Sequence, residues 1–153
     1  MEVHPGDAKR LDRSVWRVLV AEDDVETMSL ISWGLRLHGY QVDQVTTGKE
    51  LFEQLTSRIN ERGEVPDLIL SDVRMPGFSG LEVLSCLHRV DVDIPFILMS
   101  AYSDEETRQR AASDGAIAVL SKPFEFEQLL GVIATTLGQK PEPPATSRGL
   151  SYG

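Results

Sequence analysis

The fold is decided by residues 67–77, which read DLILSDVRMPG. Residues 68–70 are a short, continuous apolar run, and such a run is typical of a strand buried on both faces of a parallel sheet. Asp72 ends this run, and Pro76 with Gly77 begins a turn. We therefore expect the Asp72 carboxylate at the carboxyl edge of the sheet, where open α/β folds bind their ligands.

The same kind of apolar run recurs before and after this stretch. Strands are predicted over 16–21, 41–45, 67–72, 95–99 and 117–121. Segments with apolar residues three or four apart follow four of these strands and predict helices. A helix-start signal at 103–106, after the fourth strand, predicts the remaining helix. Alternating strands and helices with short connections build a parallel, doubly wound sheet.

Several local signals refine these helices. Thr47 and Glu50 fit a capping box at the second helix, and Ser103 is predicted to cap the fourth. The fourth helix is polar and has few apolar anchors, so we expect it to be weakly held. Trp16 and Trp33 are interpreted as packing residues.

The composition describes one soluble domain with flexible ends. The 153 residues carry a formal net charge of -9, which disfavours direct binding of nucleic acid. The single cysteine, Cys86, is predicted in or near the core and fits a reducing cytoplasm, and no apolar run approaches the ~20 residues that span a bilayer. We expect a flexible arm over 1–14, a folded domain over 15–138, and a Pro/Gly/Ser-rich tail or linker over 139–153.

Polar groups occupy the same place after four of the predicted strands. They are Glu22 and Asp23, Asp72, Ser100, and Lys122. Because parallel strands end at one edge of a sheet, these side chains should converge. Three carboxylates need a cation, and Mg²⁺ is the natural one because it prefers oxygen ligands. The set predicts a phosphoryl-transfer site with Asp72 as nucleophile, to which Lys122 and Ser100 contribute charge and a hydroxyl.

These residues belong to five short motifs: Ala21-Glu22-Asp23-Asp24, Ser71-Asp72-Val73-Arg74-Met75-Pro76-Gly77, Gly80, Ser100-Ala101 and Ser121-Lys122-Pro123-Phe124. Together the motifs resemble the receiver domain of two-component response regulators, most closely the nitrogen-regulation subtype. The resemblance covers about residues 15–138. It implies an α/β fold, a flavodoxin-like, doubly wound five-stranded parallel sheet of order 2-1-3-4-5 with helices on both faces.

The resemblance also implies a role for each site residue. It makes Asp72 the phospho-acceptor, Asp23 a direct Mg²⁺ ligand, Glu22 a ligand through water, the Arg74 backbone carbonyl a further ligand, Ser100 the switch hydroxyl, and Lys122 a contact of the phosphoryl group. Asp24 is interpreted as a helix-start residue. The Lys122–Pro123 bond is cis in relatives, which would aim the lysine across the site.

The resemblance implies a cytoplasmic signalling switch that is not an enzyme. Its phosphodonor would be a sensor histidine kinase or a phosphotransfer protein. Its output would be a downstream protein target or an effector domain severed beyond the tail, and a homodimer is compatible with the sequence. Neither nucleic acid nor a membrane is an expected partner of this chain.

One position departs from the family pattern. Receivers commonly carry Tyr or Phe three residues before the lysine, and here that residue is Val119. This puts the usual readout through the fourth helix, fifth strand and fifth helix in question, with Tyr102 as the nearest aromatic substitute. Arg74 and Tyr102 hold the positions that border the attacking water, and their bulk predicts slow self-dephosphorylation.

Three other functions would each fit part of this pattern. A phosphorylation-independent interaction module with the same fold is favoured only by Val119. A metal-dependent phosphatase would need a carboxylate two residues after the nucleophile, where Arg74 stands. A flavodoxin-like FMN protein must cradle phosphate in its first loop, and the acids at 22–24 would repel it.

Overall fold

The computed structural model describes residues 15–61, 65–101 and 104–137. The predicted arm over 1–14 and tail over 139–153 lie outside these residues. Within them, five strands alternate with five helices. In chain order these are β1 Arg17–Ala21, α1 Val25–Leu37, β2 Gln41–Val45, α2 Gly48–Asn60, β3 Leu68–Asp72, α3 Gly80–Arg89, β4 Phe96–Ser100, α4 Glu105–Ser113, β5 Ala118–Ser121 and α5 Phe126–Leu137.

All strand pairs are parallel, and their order is β2-β1-β3-β4-β5. This confirms the predicted doubly wound, flavodoxin-like α/β sheet. Its register brings Asp72 beside Met99 and Ser100 beside Ser121. The carboxyl ends of β3, β4 and β5 therefore meet at one edge.

The sheet separates two hydrophobic cores. Leu68 and Leu70 of β3 face the core formed with α1 and α5, while Ile69 faces the core formed with α2, α3 and α4. Every residue of β3 is buried. This confirms the prediction that β3 is buried on both faces. Residues 68–70 are continuously apolar because both faces of the strand pack against a core.

Two helix caps differ from the predictions, and a third cap was not predicted. Glu50 accepts the backbone N–H of Thr46 rather than that of the Thr47 cap, so the reciprocal capping box is incomplete there. A complete box forms at α3 between Ser79 and Glu82. The cap of α4 is Asp104, one residue beyond the predicted Ser103, which lies outside the described residues.

The tryptophans behave differently from each other. Trp16 is half-buried against the α1–α5 core, but Trp33 on α1 is 64% exposed, so its interpretation as a packing residue is wrong. Leu30 and Leu37 lie on the same outer face and are also exposed. Only one side of α1 can face the sheet, and that side is filled by Met28, Ile31 and Leu35.

Two glycines allow the loop after β3 to pack closely against its surroundings. A Cβ at Gly48 would lie 1.6 Å from the backbone oxygen of Phe78, and one at Gly80 would lie 2.4 Å from that of Asp72. The Gly48 N–H also donates to the Pro76 carbonyl at 3.1 Å. The start of α2 therefore fixes the loop that follows Asp72.

Two smaller predictions also have structural outcomes. Cys86 is half-buried and is not one of the fully buried core residues. In the part of the chain that the structure describes, no helix combines the length and the apolar character needed to cross a bilayer.

Candidate functional site

The predicted site residues all lie at the carboxyl edge of the sheet. Glu22 and Asp23 follow β1, Asp72 ends β3, Ser100 ends β4, and Lys122 follows β5. Carboxylate oxygens of Glu22, Asp23 and Asp72 lie within 4.8 Å of one another. The sheet topology thus brings together groups that are spread over a hundred positions of sequence.

The Lys122 side chain is the centre of this arrangement. Its ammonium donates to Asp72 Oδ2 and to Glu22 Oε1, each at 2.9 Å. Burial alone lowers the pKa of an amine, but the hydrogen bonds to Asp72 and Glu22 outweigh this effect and raise the pKa of Lys122. Lys122 therefore stays charged. The peptide bond between Lys122 and Pro123 is cis, as the resemblance implies.

Glu22 is the most buried of the three acids, with 1% of its surface exposed. Its second oxygen, Oε2, accepts the backbone N–H of Asp24 at 3.0 Å. Burial raises the pKa of Glu22 and the nearby Asp72 charge adds to this, although the bonds from Asp24 and Lys122 act in the opposite direction. Both carboxylate oxygens of Glu22 are thus already held by protein donors.

The donor set of the cluster suits a hard divalent cation. It consists of carboxylate oxygens, and Asp23 is exposed at the mouth while Asp72 is 8% exposed. One ammonium against three carboxylates leaves the site net negative. Oxygen donors open to solvent on one side fit Mg²⁺, which keeps several of its waters.

The loop after β3 positions the Asp72 carboxylate. The backbone N–H of Arg74 points to Asp72 Oδ1 at 3.4 Å, while Oδ2 is occupied by Lys122. The loop is anchored on both sides, because Val73 N–H donates to Met99 O at 2.8 Å and Gly80 N–H donates to Val73 O at 2.9 Å. Asp72 is therefore presented by rigid backbone.

Ser100 reaches the site through β4. It is buried, and its backbone carbonyl accepts the N–H of Lys122 at 2.8 Å. Ser121 is its register partner on β5. The serine and the lysine are thus connected by the backbone of two adjacent strands.

Asp24 serves the helix. It caps α1, and its carboxylate accepts the N–H and the hydroxyl of Thr27 at 2.9 and 2.6 Å. These bonds lower the pKa of Asp24. Its interpretation as a helix-start residue is confirmed.

Sequence reasoning missed one contact near the site. Arg108 of α4 donates to the Ser121 hydroxyl at 2.8 Å and to the Val119 carbonyl at 3.4 Å. An arginine in a polar helix carries no signal in the sequence that would assign this bond. Tyr102, predicted to substitute for the missing aromatic, lies outside the described residues.

Comparison with known proteins agrees with this geometry. The sequence family described as the response regulator receiver domain matches residues 18–134 of this chain. The transcriptional regulatory protein ZraR of Escherichia coli is 33% identical over 120 residues, which make up 78% of this chain. The matched part is 26% of ZraR, so the chain spans about a quarter of that relative's length.

Two further matches cover nearly the whole length of the similar protein. Sporulation initiation phosphotransferase F of Bacillus subtilis is 27% identical over 124 residues, covering 81% of this chain and 95% of that protein. The solved receiver domain of the Francisella response regulator 1452 matches with a TM-score of 0.69 at 27% identity, covering 79% of this chain and 94% of the other. The chain belongs to the response regulator receiver domain family.

Proposed function

We propose that Asp72 accepts a phosphoryl group from a sensor histidine kinase or a phosphotransfer protein, in a Mg²⁺-dependent reaction that switches the domain. The observation that carries this proposal is the Asp72 carboxylate itself. It ends a buried strand, one of its oxygens is held by Lys122 at 2.9 Å, and it lies within 4.8 Å of two further carboxylates.

In the transfer, an Asp72 oxygen attacks the phosphorus of the donor's phosphohistidine. A P–O bond to Asp72 forms, the P–N bond breaks, and the departing imidazole takes a proton from solvent. Lys122 balances the charge of the phosphoryl oxygens, and the Ser100 hydroxyl donates to one of them. The domain is a stoichiometric acceptor rather than an enzyme that turns over.

The carboxylates would hold Mg²⁺ in unequal ways. Asp23 and Asp72 would bind it directly, with the Arg74 backbone carbonyl as a further ligand. Glu22 would act through water, because both of its oxygens already accept hydrogen bonds from Lys122 and Asp24. When bound, the ion supplies positive charge that neutralises the acids and the incoming phosphoryl group.

We also propose that the receiver domain spans residues 15–138 and that it belongs to the nitrogen-regulation subtype, which its motifs resemble most closely. It works in the cytoplasm on a downstream protein target or on an effector domain beyond the tail, with homodimer formation as a further option. The net charge of -9 argues against direct contact with nucleic acid.

The second candidate is a phosphorylation-independent interaction module. The observation that favours it is Val119, a half-buried valine where receivers commonly carry an aromatic residue. The intact arrangement around Asp72 favours the switch instead. A phosphatase is disfavoured because Arg74, two residues after Asp72, cannot serve as general acid.

The test is incubation with Mg²⁺ and acetyl phosphate, followed by intact mass measurement after rapid quenching. We expect one added phosphoryl group in the wild type, none without Mg²⁺ and none in Asp72→Ala. Asp93→Ala, an exposed acid before β4, is the matched control and should be phosphorylated as the wild type is. A folded wild type that gains no mass would favour the interaction module.

A further inference from the structure

Helix α4 is attached to the rest of the domain by few apolar contacts. Ala111 is its one buried residue, and apart from Ala112 its other residues are polar. A helix with so little buried area depends on polar contacts for its position. Arg108 provides such contacts, because its guanidinium donates both to the hydroxyl of Ser121 and to the carbonyl of Val119.

Both acceptors lie on β5, which is an edge strand of the sheet. Val119 and Ser121 are two positions apart and so share one face of the strand. Val119 offers only a short side chain there. The backbone carbonyl of Val119, rather than its side chain, accepts the second hydrogen bond from Arg108.

Ser121 connects this contact to the proposed acceptor site. It is the register partner of Ser100 and directly precedes Lys122, whose N–H donates to the Ser100 carbonyl at 2.8 Å. A phosphoryl group on Asp72 must draw both the Ser100 hydroxyl and the Lys122 ammonium toward its oxygens. Any such rearrangement acts on the backbone that carries the Ser121 hydroxyl.

We propose that Arg108 couples the phosphorylation state of Asp72 to the position of α4, through its bond to Ser121. The inference rests on the proposed function of Asp72. In the unphosphorylated domain the bond holds α4 against β5, and phosphorylation breaks it and releases the helix. Arg108 is a positioning residue, since it touches neither Asp72 nor the carboxylate cluster.

The test is hydrogen exchange of the α4 backbone amides in the full chain, with Mg²⁺ and with or without acetyl phosphate. The variants are Arg108→Met, Ser121→Ala and their combination. Arg110→Met is the matched control, because Arg110 is an exposed arginine on the same helix. Intact mass, measured on the same samples, reports phosphorylation of Asp72 separately.

In the wild type, we expect phosphorylation to speed hydrogen exchange of the α4 amides about two- to fivefold. This is the change expected from the loss of one exposed, charge-assisted hydrogen bond. In Arg108→Met, the α4 amides should exchange at the fast rate of the phosphorylated wild type even without acetyl phosphate. The variant should still gain the mass of one phosphoryl group, and its α4 exchange should not change further when it does. Arg110→Met should follow the wild type, and the double variant should add nothing to Arg108→Met.

Two results overturn the coupling while leaving phosphorylation intact. One is α4 exchange in the phosphorylated wild type that equals that of the unphosphorylated protein. The other is an Arg108→Met variant whose α4 still responds to phosphate, which would mean that Arg108 only covers the edge of β5. No added mass in the wild type would instead refute the proposed function and the coupling with it.

Discussion

Lys122 Nζ lies 2.9 Å from Asp72 Oδ2, although the two residues are 50 positions apart in sequence. The same ammonium also neutralises the buried Glu22. Lys122→Met leaves two carboxylates without this partner, so we expect a loss of about 2 to 3 kcal/mol in the free energy of unfolding. Urea unfolding measures it. Lys49→Met, at an exposed lysine, should cost far less, and equal losses in both variants would contradict the argument.

Asp23 is the exposed member of the carboxylate cluster. Asp23→Asn removes one of the mutually repelling charges, so the variant should unfold at a higher temperature than the wild type in EDTA. Mg²⁺ at ten times its Kd should stabilise the wild type by about 1.4 kcal/mol and the variant hardly at all. Thermal unfolding with and without Mg²⁺ tests both effects. Asp93→Asn should respond to Mg²⁺ as the wild type does.

The convergence of Asp72 and Lys122 could be predicted because it depends only on topology. Every parallel strand ends at the same edge, so residues at strand ends meet whatever their separation in sequence. The bond from Arg108 to Ser121 could not be predicted, because it depends on where one long side chain reaches from an exposed helix. The exposure of Trp33 was missed for a different reason. Its size and apolar character predict burial, but it lies on the outer face of α1 with Leu30 and Leu37.

Gly48 is required by the close approach of the Phe78 carbonyl. Gly48→Ala forces the loop after β3 away from α2, so we expect a loss of about 3 kcal/mol in stability and slower phosphorylation of Asp72. At Gly131 on α5, an added Cβ would meet no atom within 4 Å, and Gly131→Ala should stabilise the protein by about 1 kcal/mol. Chemical unfolding of both variants checks the contrast. A loss of stability in Gly48→Ala much smaller than this would contradict the argument, because it would show that the loop can move away from the added Cβ at little cost.

Glu50 accepts the backbone N–H and the hydroxyl of Thr46, and these bonds lower its pKa from the ordinary value of 4.5. A lowered carboxyl pKa contributes stability that is fully present above 4.5 and is lost as the pH falls through the folded pKa. Glu50→Gln should therefore have a lower Tm than the wild type at pH 7, and the gap should close in acid. Thermal scans from pH 7 to acid test this, with Glu53→Gln as the control. A gap independent of pH would exclude the charged bond as its cause.

Arg74 lies in the loop after β3, two residues beyond Asp72, and is exposed to solvent. If its bulk restricts the water that attacks the phosphoryl group, the phosphorylated wild type should persist for minutes or longer. Arg74→Ala should shorten the lifetime about tenfold, a barrier change of about 1.4 kcal/mol. The decay of the phosphorylated mass after removal of acetyl phosphate gives the rate, and Arg89→Ala at the far end of α3 should leave it unchanged. A wild-type half-life of seconds would contradict the role of Arg74, because the shielding would then be ineffective.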